Sequence, residues 1–186
     1  MQSFDKKTDY ELVDLTIEGD EFAFAEIIRR YKGSVATTAM NMLGDVEDAK
    51  EVGHQVFIRF FNTLKKYRKE ASLNTYLTRM TINLCLNFLK RRKNFQNRSY
   101  ELKNAMSVST ENGISDFESK DVVNSALQKL DNKHRTVIVL RMIKGYSTLE
   151  TADLLQLPKG TVLSRLKRGM AKLKTILETE YNYEYT

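Results

Sequence analysis

The stretch GYSTLETADLLQLPKGTVLSRLKR, residues 145–168, decides how this chain is read. Ser147, followed three residues later by Glu150, forms a capping box that starts a helix directly after Gly145-Tyr146. Pro158 stops that helix from continuing, and Gly160-Thr161 opens a second one with little bulk beside a phosphate. Val162, Leu166, Met170 and Leu173 then recur at helical spacing and face inward, which turns Ser164, Lys167 and Arg168 outward together. Helix, tight turn and helix with a basic outer face is an arrangement whose second helix can enter the major groove and read base edges. An ordinary helical hairpin with a solvated basic face fits the same pattern.

Outward from this segment the chain keeps helical periodicity. With 8 glycines, the single proline Pro158 and a hydrophobic share of 41%, its 186 residues predict an all-α fold of two small helical domains. Asp9 and Asp20 are candidate helix starts. Phe24, Ile27, Ile28, Tyr31, Val35, Ala39 and Met42 share one face up to a break at Gly44-Asp45. A second helix carries Val46, Ala49, Val52, Val56, Phe57, Phe60 and Leu64 into the basic run Lys65-Lys66-Tyr67-Arg68-Lys69, and a third starts near Ser72. The third is apolar on two sides, so it lies between other helices. Periodicity is lost after residue 93 in a segment rich in Asn, Ser and Glu, which predicts a first domain over 1–93, a flexible linker over 94–116 and the helix-turn-helix domain over 117–186. The tail from Tyr181 reads as frayed.

Charge is partitioned along the chain. The total is +6, but residues 1–51 carry 6 basic and 12 acidic side chains, whereas residues 52–93 carry 10 basic and 1 acidic. Residues 121–186 carry 11 basic and 7 acidic. Two separated positive regions favour a polyanionic partner, and no apolar run approaches the roughly 18 residues that span a bilayer. The first ten residues lack the apolar stretch of a secretory signal, so the expected location is cytoplasmic. One cysteine, Cys85, makes no internal disulfide and reads as a small buried hydrophobe. His54 and His134 are too few for a zinc cluster, and the acids of 45–51 form no closed oxygen cage, so no metal or other cofactor is expected. No carboxylate-histidine arrangement suggests catalysis, which leaves no candidate catalytic residue and no small-molecule substrate.

Leu130 to Arg168, above all Tyr146-Ser147 with Glu150, Ala152 and the run Pro158-Lys159-Gly160-Thr161-Val162-Leu163-Ser164-Arg165-Leu166, closely resembles the promoter-reading domain of extracytoplasmic-function (group IV) sigma factors. The first ninety residues resemble that family's other domain through Phe22-Ala23-Phe24, Arg29-Arg30-Tyr31, Leu43-Gly44-Asp45-Val46-Glu47-Asp48-Ala49, Val56-Phe57, Tyr76-Leu77, Arg79, Asn83 and Lys90-Arg91-Arg92-Lys93. The resemblance implies a transcription-initiation factor that binds RNA polymerase core and promoter DNA, with an anti-sigma factor as a further partner. It implies that Asp48, Glu51, His54, Gln55 and Ile58 meet the polymerase clamp. It places Asn83 in the pocket for an unstacked base of the melted strand.

Around that pocket Lys65, Lys66, Arg68 and Lys69 can follow phosphates, Arg79 joins the residues of the melted-strand site, and Tyr67 and Tyr76 offer either stacking faces or core packing. Duplex contact falls to Lys159, Gly160, Thr161, Ser164, Lys167 and Arg168. Two positions depart from the family pattern. Leu163 stands where many relatives have a basic residue and cannot pair with guanine, and Gly53-His54-Gln55 stands where a Gln followed by an acid is common. A stand-alone helix-turn-helix regulator is the alternative, and it gives the acidic Asp45 helix and the basic loop no common purpose.

Overall fold

Three polar side chains set where the first helices begin. A computed structural model of the chain describes residues 4–103 and 119–181, with side chains over 4–96 and 122–181. Thr8 caps α1 (Asp9–Ile17): its hydroxyl accepts from the Glu11 amide while the Glu11 carboxylate accepts from the Thr8 amide at 2.7 Å. Asp20 caps α2 (Glu21–Leu43) by accepting from the amides of Phe22 and Ala23. That helix ends at Gly44, whose φ of 75° is the left-handed conformation that costs glycine least. Asp45 then caps α3 (Val46–Thr63) through the Asp48 amide at 2.9 Å.

A 3-10 turn (Leu64–Lys66) leads to α4 (Leu73–Lys103). The backbone is therefore helical across 94–103, where the sequence predicts linker. No Gly or Pro interrupts that stretch, so nothing in it breaks the helical backbone. Residues 104–116 of the expected linker, and the tail beyond Tyr181, lie outside the described residues.

Helix α2 packs against α1, α3 and α4. Ile27, Val35, Met42, Val52, Phe60, Leu73 and Leu77 fill the space between them, with Cys85 buried among them and its thiol pushed up to about 12 by burial. Phe60 is fully buried, with the rings of Tyr76 and Tyr67 at 5.9 and 6.3 Å. Losing a ring in such a place costs about 3–5 kcal/mol.

The second group consists of α5 (Ser119–Gln128), α6 (Asn132–Ile138), a π-helical turn (Val139–Ile143), α7 (Thr148–Leu155) and α8 (Lys159–Tyr181). Asp131 caps α6 through the His134 amide. A Cβ on Gly169 would lie 3.1 Å from both His134 and Ile138, so α8 crosses α6 at a distance only glycine allows without adjustment. Arg135 is buried, and its guanidinium donates to the carbonyl oxygens of Leu127, Gln128 and Leu130, which close α5, and to that of Met42 at the end of α2. The two groups share a core, because Val139, Leu140, Tyr146 and Leu154 pack in with α1 to α4.

Arg30 ties the start of the chain to α2, donating to the Phe4 and Lys7 carbonyls at 2.9 Å, and Glu26 holds it in place. The buried Glu26 carboxylate accepts from Arg29 at 2.6 Å and Arg30 at 2.7 Å, and these bonds lower it from 4.5 to about 2. A carboxyl depressed in the folded state stabilises fully above its usual value and loses that contribution as pH falls toward the folded one. Urea unfolding followed between pH 4.5 and 2 should show a shallower loss of stability for Glu26→Gln than for wild type, from a lower starting point at neutral pH. Parallel curves would remove Glu26 from the acid limb.

Candidate nucleic-acid interface

Residues 145–168 form the helix-turn-helix that their pattern predicts, with one unexpected corner. The Ser147 and Glu150 capping box is formed, the Ser147 amide donating to the Glu150 carboxylate at 2.7 Å. Helix α7 ends two residues earlier than a proline stop requires, because Gln156 takes the left-handed conformation at φ 52° and the Leu157 amide reaches back to the Ala152 carbonyl. The Pro158 carbonyl accepts from the amides of Thr161 and Val162 and so starts α8. Val162 and Leu173 are buried, and Leu166 and Met170 half-buried, which anchors the inner face.

On the outer face Lys159, Gly160, Lys167 and Arg168 are exposed, and Leu163 is 48% exposed among them. Thr161 is half-buried. Ser164 differs from the expected outward trio: it is half-buried and its hydroxyl donates to the Thr161 carbonyl at 3.0 Å. A serine three residues along a helix satisfies itself on the preceding turn when no outside partner is present.

The first group presents a second basic site. Tyr76, Arg79 and Asn83 lie one helical turn apart on α4 and line a cleft of about 200 Å³ with Met80, closed from α3 by Arg59 and Thr63. Arg59 and Thr63 were not anticipated from sequence, though their four-residue spacing on α3 puts them on one face. Lys66 and Arg68 of the preceding loop are exposed. Lys69 holds the loop instead, donating to Asp14 at 2.6 Å from a left-handed backbone at φ 58°.

Of the two roles that the sequence leaves open for Tyr67, the fold uses packing. Tyr67 is buried, its hydroxyl donates to the Ala71 carbonyl at 2.6 Å, and its ring packs on Tyr76 at 4.9 Å, so it braces the loop from beneath and offers no stacking face. Burial, with Tyr10 and Asp9 nearby, pushes its phenol up to about 12. Tyr76 is half-buried and faces the cleft. Arg79 is partly engaged, donating to backbone carbonyls of α7.

Helix α3 carries the residues that the resemblance assigns to polymerase. Glu51, Gln55 and Ile58 line a groove of about 660 Å³ against α4, with Arg91, Arg92 and Phe95 opposite. Asp48 begins the same stripe and pairs with Arg92 at 3.2 Å, while burial and the neighbouring Asp45 raise its carboxyl. His54 turns to the other side and joins Ile58 at a largely apolar cleft with Phe24, Phe57 and Phe61. Phe61 and Phe22 are exposed by 52% and 77%, and nothing in their spacing set them apart from core phenylalanines. Among the described residues no group of three or more His, Cys, Asp or Glu could hold a metal ion, and no helix is long and apolar enough to cross a membrane.

The model of sigma-70 region 2 matches residues 27–95, and that of sigma-70 region 4 matches residues 126–175, so the two together span well over half of the chain in that order. The chain belongs to the extracytoplasmic-function sigma factors. It is 29% identical over 168 residues to the ECF RNA polymerase sigma factor SigW of Bacillus subtilis, covering 84% of this chain and 90% of that one. Against the ECF RNA polymerase sigma-E factor of Escherichia coli K12 it is 29% identical over 175 residues, or 87% and 90% of the two chains. Among solved structures it is similar to CnrH in complex with the cytosolic domain of CnrY, with 25% identity, a TM-score of 0.67 and coverage of 92% and 98%. The region 4 match contains the whole helix-turn-helix, and the region 2 match contains both the cleft around Asn83 and the α3 stripe.

Arg168 is exposed on the outer face of α8, where the sequence expects duplex contact. Truncation to Arg168→Ala should cost about 1–3 kcal/mol on a selected upstream element if the contact is to a base. Duplex titrations with cognate and unrelated DNA check this, and equal affinities for both proteins on both duplexes would contradict it.

Proposed function

We propose that this sigma factor directs RNA polymerase core to promoters by three surfaces: α3 docks on the polymerase clamp, α8 reads an upstream duplex element, and the cleft around Asn83 receives the melted strand. The observation that carries this reading is the convergence of Tyr76, Arg79 and Asn83 on one cleft, in a domain separate from the basic face of α8. A half-buried ring, a guanidinium and an amide are groups that a single strand can use: a face for stacking, a charge for phosphate and a donor-acceptor pair for a base edge.

The protein catalyses no step of its own in this reading, and it acts in the cytoplasm, where polymerase and promoter are. The apolar cleft of Phe24, Phe57, Ile58 and Phe61 suits a protein partner, since side chains of this size gain most by leaving water. CnrH is solved with the cytosolic domain of CnrY, and by that likeness an anti-sigma factor would compete with polymerase for this sigma factor.

Because a flipped base is reachable only after the strands part, Asn83 should act late. Holoenzyme carrying Asn83→Ala should protect promoter DNA in footprints like wild type and yet leave promoter thymines less reactive to permanganate. Full reactivity in the variant would remove the cleft from the opening reaction.

A further inference from the structure

The seam between the two helical groups runs directly over the edge of the strand cleft. Arg79, on its rim, donates from Nη2 to the Asp153 carbonyl at 2.8 Å and from Nε to the Leu154 carbonyl at 3.2 Å. These are the last carbonyls of α7, at the negative end of its dipole, where a guanidinium is held much as a phosphate oxygen would hold it. Beside them Glu150 and Asp153 of α7 line one hollow with Thr75, Tyr76 and Arg79. The second domain thus brings carbonyl oxygens and two carboxylates to the groups that a DNA strand would need. Negative charge at that rim also repels phosphates.

The rest of the seam is built as an interface. Tyr146 is buried and donates to the Thr78 hydroxyl at 3.2 Å, Lys144 donates to Ser34 at 2.6 Å, and Gln128 donates to the Asn41 carbonyl at 3.1 Å. Val139, Leu140 and Leu154 are buried with them in the core shared by the two groups. A Cβ on Gly44 would come within 2.3 Å of the Gln128 side chain, so the fit there depends on a bare backbone. By contrast, Lys159, Gly160, Lys167 and Arg168 of α8 stay exposed. The seam covers one DNA site and leaves the other open.

We infer that α7 is an intramolecular inhibitor of the strand site: in the free protein its C-terminal carbonyls occupy Arg79, its acids line the hollow beside Tyr76, and single-stranded DNA binds only after the seam opens. The inference rests on the reading of the Tyr76, Arg79 and Asn83 cleft as the strand site. Apparent affinity for the strand is the intrinsic affinity reduced by the fraction of open molecules, so any substitution that opens the seam without touching the cleft must strengthen binding.

Two such substitutions are available. Ser34→Trp puts bulk on the surface of α2 where Lys144 docks, and Lys144→Ala removes that contact together with a positive charge. The probe is a fluorescein-labelled single strand of random sequence, about 12 nucleotides long, titrated by anisotropy against the full chain while small-angle scattering reports its radius of gyration. Ser34→Trp should expand the chain and tighten strand binding by about tenfold. Lys144→Ala should tighten it by a smaller factor, although loss of a cation alone would weaken it. A wild-type chain already extended in solution would overturn the inference, as would an expanded variant that binds no better, or a chain left compact and unchanged by both substitutions. Adding Asn83→Ala to Ser34→Trp separates the two readings: the gain should vanish, and a gain that persists would show the strand bound elsewhere and reject the cleft itself.

Discussion

The guanidinium of Arg135 is the contact on which the second domain and its placement depend. Its five N–H bonds all end on oxygen: three on the carbonyls that close α5, one on the Gln128 side chain and one on the Met42 carbonyl at the end of α2. Burial lowers the guanidinium from its usual value, yet Arg cannot lose its proton in this range, and the negative ends of two helices supply the compensation. Lysine could not replace it, because a single ammonium cannot reach five acceptors set in a planar fork. The neutral side of the same arrangement is Gly44, whose lack of a side chain lets Gln128 reach the end of α2.

From this fixed point the functional geometry follows. With α5 and α6 seated on α2, the π-helical turn carries Leu140 and Tyr146 into the first domain's core and sets α7 over α4. Helix α8 then crosses α6 at Gly169 and turns its basic face away from the seam. Meanwhile α3 leaves Ile58 and Phe61 exposed to solvent.

Much of this was legible in the residues. The capping box at Ser147 and Glu150, the glycine stop at Gly44 and the cap at Asp20 are local chemistry, which a short window contains in full. The convergence of Tyr76, Arg79 and Asn83 follows from helical spacing once α4 is accepted as a helix. What could not be read depends on contacts distant in sequence. Arg135 looks like any basic residue in an amphipathic helix, since nothing nearby shows that two helix ends will surround it. Tyr67 could stack or pack, and only the position of Phe60 beneath the loop settles it as packing. The stretch 94–103 lacks an apolar face, and composition alone cannot separate a solvated helix from a linker. The role of α7 over Arg79 required both domains at once.

Whether the chain works through polymerase is decided by one titration. A fluorescent promoter duplex is titrated with the protein alone and with polymerase core present, at matched salt because phosphate contacts make affinity salt-dependent. Docking of α3 would hold both DNA-reading domains at a set separation and make the second contact effectively intramolecular. Specific affinity should then rise by orders of magnitude when core is added. Binding by the protein alone at roughly 10⁻⁸ M or tighter at physiological salt, unchanged by core, would contradict the account and identify a regulator that works without polymerase.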